Sequence, residues 1–181
     1  MKKYLVLALC LLILTVGHAQ NYTEYFANKT LRVDYIFTGD ASCQNVCLDE
    51  LSVLPSWAGR HQHLAELPLQ GNGQIIMKDL ESGKTVYTTS FSSLFQEWLE
   101  TDEAKVVSKG FENTFLLPYP LRPVEIEITL LSPRKEVRTC LKHTVRPNDV
   151  LIHQKGTAHI TPHKYLLKSG ETDKCIDVAI L

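Results

Sequence analysis

Residues 123–131 read PVEIEITLL, and this stretch decides the fold. Val124, Ile126, Ile128 and Leu130 alternate with Glu125, Glu127 and Thr129. A period of two places the apolar set on one face of a strand and the polar set on the other, as in an antiparallel sheet with one face on a core and one in water. The next four residues, SPRK (132–135), turn the chain, with Ser132 and Pro133 as the turn formers. EVRTCLKHTV (136–145) then alternates again, with Val137, Leu141 and Val145 expected inward. The two runs predict a hairpin in which Glu125 and Glu127 lie opposite Arg138 or Lys142.

Working outward, the same pattern recurs. LRVDYIFTGD (31–40) alternates, with Val33, Tyr35 and Phe37 on one side and Arg32, Asp34 and Thr38 on the other. VCLDELSVL (46–54) reads as a strand closed by Pro55. QIIMKDLESGKTVYTTSF (74–91) reads as a hairpin turning at Glu81-Ser82-Gly83-Lys84, with glycine able to take a positive φ. DVLIHQ (149–154) is a further candidate strand, and LLPYPLRP (116–123), with Pro118, Pro120 and Pro123, suits a sheet edge or a stiff extended segment. SSLFQEWLETDEAK (92–105) is the helix candidate: Leu94, Phe95, Trp98 and Leu99 form its apolar stripe, and Ser93 with Gln96 fits a capping box. Seven or eight short strands and one short helix of about three turns predict an all-β, antiparallel β-sandwich.

The ends of the chain read differently. MKKYLVLALCLLILTVGHAQ carries Lys2 and Lys3, an apolar run from Tyr4 to Val16, and Gly17-His18-Ala19. This is the layout of a secretory signal cut after Ala19, so residues 1–19 are expected to be removed and the product exported: secreted, periplasmic or at the cell surface. The run is shorter than the roughly 20 residues of a membrane span. Leu9 before Cys10 does not suit a lipid-attachment site. Residues 20–155 then form the sandwich, and residues 156–174, polar and punctuated by Gly156, Pro162 and Gly170, form a linker. CIDVAIL (175–181) is nearly continuous in apolar character, as in a strand buried on both faces of an α/β sheet.

The 181-residue chain holds 19 basic and 20 acidic residues. Without Lys2 and Lys3 the balance is 17 against 20, a net charge of −3, and no basic face for nucleic acid is apparent. After signal removal no membrane segment is expected. Cys43, Cys47, Cys140 and Cys175 remain. In extended chain Cys43 and Cys47 stand roughly 13 Å apart, too far to bridge each other. Pairing with Cys140 or Cys175, or burial as free thiols, are both open.

Signals for chemistry are sparse. His61 and His63 form HQH, a pair expected on one side of a strand, and His159 and His163 frame HITPH; His143 and His153 are isolated. There is no HExxH, no GxSxG and no phosphate-cradling glycine loop. No catalytic residue, metal ligand or cofactor is therefore read in this chain. QGNGQ (70–74) reads as a tight turn. Trp57, Trp98 and Tyr119 are the aromatics that could stack on sugars or contact a partner; Trp98 belongs to the helix stripe and so to the core, whereas Trp57, in the loop-like PSWAGR, is the better candidate for exposure. A glycan or host-protein binding module would use Trp57 and Tyr119. A hydrolase would use His61, His63 and an acid such as Glu66.

Several segments together, LRVDYIFTGD, LDELSVLPSWAGR, LPLQGNGQI, SFSSLFQEW and KGFENTFLLPYP, resemble the N-terminal domain of the immunoglobulin A peptidase family of secreted zinc metallopeptidases. The resemblance extends from about Tyr25 to Leu181, and CIDVAIL resembles the first strand of that family's catalytic domain. It implies a non-catalytic accessory domain that docks on, helps fold or presents substrate to a zinc peptidase domain. It also implies that the zinc ligands and the general-base glutamate lie beyond residue 181, in a catalytic domain that is the main partner. The family pattern does not account for Cys43, Cys47 and Cys140.

Overall fold

The computed structural model describes residues 21–67, 70–156, 164–167 and 169–170. The signal segment 1–19, His159 and His163, most of the linker, Cys175 and the 175–181 strand all lie outside the described residues. A one-turn helix, α1 (Tyr22–Tyr25), is capped by Asn21 and leads directly into β1 (Phe26–Gly39). There follow β2 (Gln44–Leu54), β3 (Gly73–Asp79), β4 (Thr85–Phe91), a short helix α2 (Leu94–Trp98), a 3₁₀ turn (Glu103–Lys105), β5 (Lys109–Pro120), β6 (Val124–Leu131), β7 (Val137–Val145) and β8 (Ile152–Gln154).

The strands form two four-stranded sheets, ordered β5-β1-β2-β8 and β4-β3-β6-β7. The pairings are antiparallel except for β8, which runs parallel to β2. The expected β-sandwich is the observed fold, and the alternating residues make its core. Val33, Tyr35 and Phe37 from β1 are buried against Ile75 and Met77 of β3 and Ile126 and Ile128 of β6. Phe37 centres an aromatic cluster with Phe91, Phe95 and Phe115, its ring 6.0 Å, 6.1 Å and 6.2 Å from theirs.

Where simple alternation fails, a bulge is responsible. In β2 the register slips at Asp34/Tyr35, leaving Asp49 extra between Glu50 (opposite Asp34) and Leu48 (opposite Tyr35). One added residue moves later side chains to the other face. Val46 and Val53, an even and an odd position, are consequently both buried. The same device corrects the expectation for β7. Its register slips between Leu130 and Leu131, so Arg138 is extra and Val137 is turned outward, 65% exposed, while Val145 is 1% exposed. Leu141 packs on the core as expected.

The predicted hairpins form. Gly83 takes φ 69° and donates its N–H to Asp79 O at 2.8 Å. Glu127 pairs with Lys142 across β6 and β7, with Lys142 Nζ 2.9 Å from Glu127 and 4.0 Å from Glu125. Arg138, displaced by its bulge, is not opposite either glutamate.

Helix α2 is shorter than its sequence pattern. Ser93 Oγ accepts from Gln96 N at 3.3 Å and donates to Gln96 Oε1 at 3.0 Å, completing the capping interaction. At the other end Thr101 Oγ1 donates to Trp98 O at 2.8 Å, occupying a carbonyl that a longer helix would use internally. Phe95 is fully buried and Trp98 and Leu99 pack on the core, but Leu94 is 73% exposed and leaves the expected stripe.

Sheet edges are managed locally. The proline-containing strand β5 is an edge, as its sequence suggested. In the other sheet the edge strand β4 is covered by the loop after β2: Thr88 N donates to Leu64 O at 2.8 Å, and Leu64 is buried.

Candidate functional site

Trp57, Tyr119 and His61 gather at one end of the sandwich, around α1. Trp57 sits in the β2–β3 loop and is 9% exposed, which corrects the expectation of an exposed indole. Its ring meets Tyr87 edge-on at 6.1 Å, and its Nε1 donates to Arg60 O at 3.1 Å. Gly59 makes this possible, because a Cβ there would stand 2.2 Å from the indole. Arg60 then locks the loop: its Nη2 donates to Leu64 O at 3.2 Å, to Glu66 O at 3.0 Å and to Thr88 O, and its guanidinium lies 5.1 Å over the Tyr87 ring. Arg60 is a residue that the sequence reading missed. Its signal, an arginine three residues after a loop tryptophan, does not distinguish a free surface cation from a half-buried clamp.

His61 and His63 lie in bends of this loop rather than on a strand, which corrects the paired-imidazole expectation. His61 stacks on Tyr22 with ring centroids 4.3 Å apart. His63 takes φ 52° and its Nδ1 is 2.9 Å from Glu66 Oε1, so a histidine–acid contact exists in this loop. Among the described residues no three His, Cys, Asp or Glu side chains converge as a metal site would require. Tyr119 is half-buried on β5, opposite Ala27, and packs on the core. Trp57 and Tyr119 thus share an end of the fold but serve its packing, and they do not present a flat aromatic platform. Cys43, Cys47 and Cys140 are free and exposed, which corrects the reading of buried thiols.

A second missed arrangement lies between the sheets. Tyr35 Oη of β1 is 2.6 Å from His143 Nε2 of β7. Burial holds the Tyr35 phenol well above its ordinary range and pushes the imidazole down to about 4. The imidazole is therefore neutral near pH 7, and the hydrogen bond joins two neutral rings. In the sequence reading His143 stands isolated; the inward alternation of Leu141 and Val145 is the signal that would have put it on the core side, while its partner, 108 residues away, had no local signal.

A third feature closes the other end. A pocket of about 200 Å³ lies between α2 and the β6–β7 turn, with Gln96, Glu97, Glu100 and Arg138 on its wall. Gln96 is buried, and its Nε2 donates to Leu131 O at 3.1 Å and to Asn72 O. The amide therefore ties α2 to the second sheet and is not available to attack a substrate.

The end around α1 also carries a cation–aromatic cluster. Lys84 Nζ lies 5.4 Å and the Arg122 guanidinium 5.2 Å from the Tyr25 ring centre. Asp79, almost fully buried beneath them, accepts from Ser82 N at 2.9 Å and Ser82 Oγ at 2.6 Å, with Arg122 Nε at 3.8 Å. The Ser82 hydroxyl, foremost among these groups, holds the Asp79 carboxyl below its usual range.

A family model, Peptidase M64 N-terminus, matches residues 21–142. The chain belongs to the peptidase M64 N-terminus family. The matched span runs from the cap of α1 into β7 and stops one residue before His143, so the M64 N-terminal match includes the Trp57–Arg60 loop and the Tyr25 cluster but not β8. No curated protein matches the chain.

Proposed function

We propose that this chain is a non-catalytic accessory domain of an exported M64 peptidase, which docks on, helps fold or presents substrate to a zinc-dependent catalytic domain. The observation that carries this reading is the family match over residues 21–142, which names the N-terminal part of a peptidase rather than its catalytic part. Arg60 and Gln96 are committed to backbone carbonyls, and Tyr35 and His143 to each other, so these four serve the packing of the sandwich. Export rests on the leader pattern of residues 1–19.

The test is direct. Purified mature chain, residues 20–181, is incubated with immunoglobulin A or casein at neutral pH with added zinc. The expected result is no cleavage, together with saturable binding to a purified M64 catalytic domain. Cleavage that a chelator abolishes would overturn the proposal. The glycan-binding alternative is favoured by no specific contact here, since Trp57 is buried and Tyr119 is packed.

A further inference from the structure

The pocket beside α2 is assembled from separate parts of the chain. The β2–β3 loop supplies Asn72, α2 and the turn after it supply Glu97, Leu99 and Glu100, and β6 and β7 supply Leu131 and Arg138. Groups other than the pocket's charges tie these walls together. Gln96 Nε2 donates to Leu131 O at 3.1 Å and to Asn72 O, Leu131 N donates to Asn72 O at 2.8 Å, and Lys135 Nζ donates to Gly71 O at 2.8 Å. The cavity of about 200 Å³ is thus shaped by the fold itself.

Its charges are not used by that framework. Glu97 and Glu100 stand one helical turn apart on one side of the chain, where Glu100 N donates to Glu97 O at 3.2 Å. Arg138 is the extra residue of the β7 bulge, a device that re-aims a side chain. Among the described residues none of these three enters an ion pair, although both signs line one cavity, and the Asn72 side-chain amide has no hydrogen-bond partner. Neighbouring charges are engaged: Asp102 pairs with Lys105 and Glu103 with Lys109, each at 2.6 Å. Arg134 and Glu136 are exposed in the adjoining turn, outside the lining.

Two like charges at this helical spacing repel, and a cation between them removes that cost. A guanidinium without a partner takes a carboxylate, in the bidentate geometry that arginine favours. Leu99 and Leu131 add apolar lining that suits an aliphatic stem. Two carboxylates and one guanidinium give the lining a net charge of −1. Lysine or arginine, with a carboxylate and an excess of cationic groups, complements it. The volume suits a single residue, since sites for larger ligands run to about 300–1,000 Å³.

We infer that this pocket binds a basic amino acid, lysine or arginine, through its carboxylate at Arg138 and its cationic groups at Glu97 and Glu100. A free amino acid and the C-terminal residue of a peptide both present this chemistry. The inference goes beyond the accessory-domain reading and does not rest on it.

The experiment titrates the isotope-labelled mature chain with L-lysine, L-arginine, lysinamide, norleucine and acetyl-Ala-Lys at neutral pH and fixed ionic strength, followed by NMR. Saturable shifts of the Asn72 and Gln96 side-chain amides are expected with lysine or arginine, with a Kd of about 1 mM or tighter. Lysinamide, which lacks the carboxylate, and norleucine, which lacks the side-chain cation, are each expected to bind at least about threefold more weakly. Arg138→Gln is expected to erase the difference between lysine and lysinamide, and Glu97→Gln/Glu100→Gln the difference between lysine and norleucine. All three side chains are exposed, so the variants are expected to fold; circular dichroism melts establish this, and Glu100→Gln alone serves if the paired variant does not. Tighter binding of free lysine than of acetyl-Ala-Lys assigns the site to a free amino acid, and the reverse to a peptide end. Equal response to lysine, lysinamide and norleucine, shifts that do not saturate, or selectivity that survives in the variants would overturn the site.

Discussion

The Tyr35 hydroxyl and the His143 imidazole, 2.6 Å apart, join β1 of one sheet to β7 of the other through the interior of the sandwich. Burial of the imidazole makes stability depend on pH. Burial lowers the His143 pKa from 6.5 to about 4 in the folded chain. The neutral ring is thus favoured by folding, and the contribution is complete above the unfolded value and lost as pH falls from about 6.5 toward 4. Its ceiling is on the order of 3 kcal/mol. Urea unfolding at pH 7 and pH 4.5 should show a larger acid loss for wild type than for His143→Gln. Equal losses would remove the imidazole from the explanation.

Gly59→Ala should disturb the loop over β4. The added methyl would meet the Trp57 ring at 2.2 Å, and that ring is itself packed edge-on against Tyr87. Overpacking of this kind costs about 1–3 kcal/mol. The expected signature is a lower melting temperature with a red-shifted tryptophan emission as the indole gains water. An unchanged spectrum and melt would mean that the loop relaxes without displacing Trp57.

Ser93→Ala removes the α2 cap and should cost about 1 kcal/mol. Gln96→Leu should cost more, about 1–3 kcal/mol, because Leu131 O and Asn72 O lose their buried donor. Denaturant midpoints for the two variants provide the comparison, and a reversed order would contradict the bridging role of Gln96.

Cys43, Cys47 and Cys140 should react with Ellman's reagent without denaturant, since each is exposed and unpaired. In a mature Cys175→Ser chain, three thiols per molecule are expected before unfolding and three after. A native count of one would instead indicate a disulfide between two of them.

Much of this fold was legible because a strand in a two-layer sheet has a binary code. Val33, Tyr35 and Phe37, and Val124, Ile126, Ile128 and Leu130, declared their inward face by alternation alone, and Gly83 and Ser93 declared a turn and a cap by local chemistry. The code failed at Val137 and across β2, where a single bulge residue changes the face of its neighbours. It failed more completely for Trp57. Its exposure depends on whether a loop folds back over it, which is decided by Gly59, by Arg60 and by the free edge of β4 together.

By itself, then, the sequence determined which segments become strands, which face of most of them is apolar, and the family to which they belong. Tertiary structure alone decided that Tyr35 meets His143, that Arg60 closes a loop and that Lys84 and Arg122 converge on Tyr25. The physical reason is range. Alternation and capping act between residues a few positions apart, whereas these contacts join residues brought together only when two sheets pack, and their energies depend on burial that no single segment possesses.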